Sequence, residues 1–145
     1  MSADRTASGS RVGEAAAAVG AGACLAILAA MGAPYVLISE PGTGLPLYYG
    51  AGPLGAGAVA FFAVIQPIVF LSGTRGRADP QTVAGMSLVV GLAMLGIAAS
   101  WALAVPADLV LSFPAAWMAW HRWAVVAVVA VVPAAGAAFA YGALR

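Results

Sequence analysis

Four stretches of this chain, at roughly residues 12–38, 54–72, 80–105 and 113–143, are too long and too poor in charge for a soluble fold. The hydrocarbon core of a bilayer is about 30 Å thick, and about 20 apolar residues of helix cross it. A backbone segment in hydrocarbon finds no water to bond its amides, so it closes its hydrogen bonds internally as a helix. The fold class that follows is an all-α integral membrane protein, a four-transmembrane-helix bundle. Composition agrees: 63% of the 145 residues are hydrophobic and 8% are charged, against roughly 25% charge in soluble domains.

Local punctuation sets the boundaries. The first block carries Arg5, Arg11 and Glu14 at its start and reaches Pro41-Gly42. Three more spans follow it, so it reads as an uncleaved helix instead of a signal peptide. The second follows Gly50, Gly52 and Pro53 and stops at Ser72-Gly73; Gln66-Pro67 interrupts its middle, which predicts a kink. Asp79-Pro80 is a helix start, a capping carboxylate before a proline at the first helical position. The fourth helix is expected from a Ser112 cap through Phe113 and Pro114 to residue 143, with 113–123 an interfacial segment and Pro133 a second bend. A break near His121 is the alternative.

Arginines orient the chain. Arg5, Arg11, Arg75, Arg77 and Arg145 fall on one side of four spans, whereas Glu40 and Asp108 fall on the other. The bias of basic residues toward the cytoplasm predicts a multi-pass cell-membrane protein with both termini cytoplasmic. Tyr35, Tyr48, Tyr49, Trp101, Trp117, Trp120 and Trp123 all gather on the opposite, outer side. Rows of small residues, such as Gly13, Ala17 and Ala21 or Gly85, Gly91 and Gly96, favour close helix approach.

Little chemistry is on offer. No span holds paired carboxylates, the single Cys24 closes no disulfide within the chain, and one histidine is too few for a haem held between two. The glycine-rich run at 50–57 lacks the lysine of a phosphate loop, and the arginines are too scattered to track nucleic acid. Neither enzyme chemistry nor a cofactor or metal is expected.

The candidate contact residues for a partner or lipid are Trp117, Trp120, His121, Arg122 and Trp123, with the imidazole expected beside two indoles on one helical face and Arg122 within reach of Glu40 or Asp108. Gln66 is expected to make an interhelical polar contact. The function expected is a non-enzymatic small membrane subunit, an accessory or structural component of a larger membrane complex or a homo-oligomer. Its partners would be membrane lipids and other membrane subunits or copies of itself. The alternatives are a small transporter or channel formed by oligomerisation, and a lipid- or quinone-binding subunit of a respiratory complex.

Overall fold

The computed structural model describes residues 2–40, 42 and 44–144, without the side chains of residues 2, 5 and 6. The Arg5 side chain, Pro41 and Arg145 thus lie outside the described residues. Within them the chain is a four-helix membrane bundle with no strand. The helices are α1 (Ser2–Leu37), α2 (Gly44–Tyr49), α3 (Gly57–Thr74), α4 (Pro80–Ala104), α5 (Ala107–Leu111) and α6 (Met118–Ala143). Helices α1, α3, α4 and α6 are long and apolar enough to cross a membrane. The described chain is therefore a multi-pass membrane protein.

The spanning helices form a ring in the order α1, α3, α4, α6, each packed on its two neighbours. Adjacent members run in opposite directions, so the loop at 75–79 lies at one end with both the start of α1 and the end of α6. Helices α2 and α5 lie at the other end, with the start of α6. At about 1.5 Å per residue, the 36 residues of α1 extend roughly 54 Å, well beyond the hydrocarbon. Its first turns run beside the C-terminal turn of α6, where a Cβ on Gly142 would stand 2.9 Å from the Gly9 carbonyl oxygen.

Glycine sets the α4–α6 seam. A Cβ on Gly91 would meet Pro133 N at 2.8 Å and Pro133 Cα at 2.9 Å, and one on Gly136 would meet Leu88 N at 2.9 Å. Both obstacles are backbone, so the two helices touch main chain to main chain. Gly85 and Gly96, from the same row as Gly91, face open space. Asp79 caps α4 as its sequence suggests, with Oδ2 accepting from the Thr82 amide and hydroxyl, each at 2.9 Å.

Three boundaries depart from the sequence reading. Helix α1 starts ten residues earlier than residue 12, because the docked end of α6 gives its first turns a packing surface. Two short helices, α2 and α5, fill the loops at the aromatic end. The fourth span begins at Met118 and not at 113: Ser112 is the C-cap of α5, its amide bonded back to the Asp108 carbonyl, and residues 113–117 turn the chain before α6. Pro114 sits in this turn, where its missing N–H leaves no ladder bond unmade.

Candidate functional site

The aromatic end is built around a backbone defect in α1. Pro34 lies inside that helix and has no N–H, so the Ala30 carbonyl, four residues earlier, lacks its helical donor. His121 of α6 fills the gap, with Nε2 2.7 Å from that oxygen. A carbonyl only accepts, so Nε2 carries the proton and the neutral ring's Nδ1 is an acceptor. The Tyr48 hydroxyl stands 2.9 Å from Nδ1 and donates to it. Both nitrogens of the buried imidazole are thereby used.

Helix α2 brings Tyr48 into place and is held by three spanning helices. The Trp101 indole of α4 donates to the Tyr48 carbonyl at 2.8 Å, and the Tyr49 hydroxyl donates to the Met31 carbonyl of α1 at 2.6 Å. Tyr48 is fully buried and meets Tyr49, Trp101 and Phe113 edge-on, at centroid distances of 5.1, 5.3 and 5.9 Å. Tyr49 lies flat between Trp101 and Tyr35. Such ring pairs add about 0.5–1.5 kcal/mol each beyond their buried area. The result is a closed aromatic cap over one end of the helices.

The five contact residues read from the sequence divide into two sets. His121 points inward, and the Trp117 ring, 37% exposed, covers it at 5.7 Å. Trp120 and Trp123 point outward, 75% and 41% exposed. Of Trp117 and Trp120, the two indoles expected beside the imidazole, Trp117 is there and Trp120 is not, because His121 lies on the inner stripe of α6 with Val125, Val129 and Val132. Arg122 donates through Nη1 to the Val105 carbonyl at 2.8 Å, just past the end of α4, and its Cζ lies 5.5 Å over the Trp123 ring. Among the described residues neither Glu40 nor Asp108 pairs with it. Its buried Nε has no hydrogen-bond partner.

Gln66 lies apart from this cap, near the middle of α3. Its Nε2 donates to the Ser87 carbonyl of α4 at 2.9 Å, while Gln66 Oε1 and Ser87 Oγ are buried without partners. Among the described residues no group of three His, Cys, Asp or Glu comes together to hold a metal. Cys24 is buried alone in the core.

Sequence reasoning placed Tyr35, Tyr48, Tyr49 and Trp101 at this end without assigning them to the site. The usable signal was Pro34: a proline inside an apolar block leaves a carbonyl that needs a donor, and one histidine was available.

The family model described as "Family of unknown function (DUF7548)" matches residues 11–144, and the chain belongs to that family. No curated protein and no solved structure matches it.

Proposed function

We propose that this chain is a non-enzymatic membrane subunit that acts by lateral association, with other membrane subunits or with copies of itself. The observation that carries this reading is the division of polar and aromatic groups at the cap. His121, Tyr48, Tyr49 and Trp101 spend their hydrogen bonds inside the chain, which leaves no free acid, base or nucleophile among them. Trp120 and Trp123 instead face outward beside Arg122. Tryptophan and arginine are the side chains that most often dominate protein contacts. In this reading the termini are cytoplasmic and the aromatic end faces outward.

Native mass analysis of the protein extracted from its own membrane in mild detergent tests the proposal. A particle heavier than one chain is expected. Replacing Trp120 and Arg122 together with Ala should weaken it by about tenfold or more, the effect of losing roughly 1.4 kcal/mol at a contact centre. Replacing Arg75 and Arg77 should leave it intact. A lone chain in the wild type, or loss of the particle only with the inner pair, overturns the reading.

A further inference from the structure

A lateral groove of about 330 Å³ opens between α1 and α3 at the aromatic end, lined by Leu28, Met31, Gly32, Tyr35, Tyr49, Gly57 and Ala60. Two of these residues make it a groove. A Cβ on Gly32 or Gly57 would meet nothing within 4 Å, so each helix lacks a side chain where the other does too. The walls are nearly all hydrocarbon. The hydroxyl of Tyr49, one of the lining residues, is already donated to the Met31 carbonyl. Tyr35 stacks on Tyr49 at 5.5 Å with their planes 8° apart and forms a flat aromatic wall.

We infer that this groove seats one acyl chain of a bilayer phospholipid from the leaflet at the aromatic end. Size decides among the hydrophobic occupants. A partner helix is about 10–12 Å across and does not enter a space of 330 Å³. A single leucine side chain from a neighbour, four carbons, leaves most of it empty. With roughly 30 Å³ for a water-sized group, the groove takes about ten such groups, a continuous length of hydrocarbon chain. Its axial extent fits as well. Leu28 to Tyr35 is seven residue steps along α1, about 10 Å of helix. The half-exposed Tyr35 ring stands at the end nearest the headgroups, where a phenol is favourably placed. Chemistry favours hydrocarbon over a polar ligand, since Leu28, Met31, Gly32, Gly57 and Ala60 bring no polar side-chain N or O atom and the Tyr49 hydroxyl is already bonded. This seat lies on α1 and α3, and it stands whether or not the α6 face binds a partner.

The test uses the full chain in phosphatidylcholine vesicles containing a phospholipid with a photoreactive diazirine in its acyl chain. Adducts mapped by mass spectrometry should concentrate on Leu28, Met31 and Ala60. Gly32→Leu, which fills the groove, should lower them at least fivefold. Gly96→Leu, at another open glycine, on α4 and outside the lining of this groove, should leave them unchanged. If Gly32→Leu does not fold, Gly57→Leu fills the same space from the opposite helix. Adducts spread evenly over all lipid-facing positions, or unaffected by both fillings, overturn the proposal. Displacement of the adducts by an equimolar isoprenoid quinone, with none by excess unlabelled phospholipid, overturns it too.

Discussion

Proline at position 34 strands the Ala30 carbonyl, and an imidazole from the last helix answers for the missing amide. His121→Leu would leave that carbonyl and the Tyr48 hydroxyl buried without partners. Unmade bonds of this kind cost about 1–3 kcal/mol, and the membrane environment places the value toward the lower end. We expect a loss of about 1–2 kcal/mol in unfolding by dodecyl sulfate in mixed micelles. Tyr48→Phe removes one bond of the pair and should cost about 1 kcal/mol. In a Pro34→Ala background the amide at 34 returns to the Ala30 carbonyl, so the penalty of His121→Leu should shrink by roughly 0.5–1 kcal/mol. Equal penalties in the two backgrounds would show that the imidazole does not stand in for the amide. None of this could be read from the local sequence around His121. An amphipathic helix announces which stripe is buried, but α6 is apolar on every side, so nothing fixed the rotation of His121 relative to Trp120.

At the scale of helices, the spans were legible because hydropathy is summed locally, and Asp79-Pro80 was legible because a cap needs only its next three residues. Helix α2 was not, since its hold comes from Trp101, Met31 and His121, far away in the chain, and neither was α5, which packs on α2 and α6. The glycine row of α4 shows the same limit, for spacing cannot say which glycine touches a neighbour. Gly91→Ala drives a methyl into the Pro133 backbone and should cost about 1–3 kcal/mol. Gly96→Ala faces open space and should be neutral or stabilising by up to about 1 kcal/mol. Unfolding midpoints of the two variants check the contrast; equal effects would mean that the seam tolerates a wider separation. The cap of α4 also titrates. The Thr82 amide and hydroxyl hold the Asp79 carboxyl below its ordinary value of 3.8. A depressed value means that the cap is fully present above the ordinary carboxylate range and is lost as pH falls through the lower folded value. Carbon-detected titration of Asp79 should show this lowered midpoint, and Thr82→Ala should move it back up.

For the molecule as a whole, the arginine bias and the ring of four antiparallel spans make one orientation testable. In a Cys24→Ala background, single cysteines at Ser39 and Ala107, both exposed at the aromatic end, should react with an impermeant maleimide added to intact cells. Cysteines at Ala3 and Ala78, at the opposite end, should react only after lysis. The reverse pattern would invert the orientation and with it the side of the membrane on which the proposed Trp120 contact lies.

The seam between α1 and α6 also has a history in time. It joins the first and last spanning helices, and the bond from His121 to Ala30 links residues 91 positions apart. At about 5–20 residues per second of synthesis, α1 waits roughly 5–18 seconds in the membrane before its partner is made. Throughout that interval its proline-stranded carbonyl has no imidazole, and the faces of α1 and α4 that α6 will cover meet only lipid or insertion machinery. Completion of the bundle is thus reported by one late event, the arrival of His121. A chain halted before Met118 would carry an open defect in the bilayer that quality-control proteases and chaperones could read.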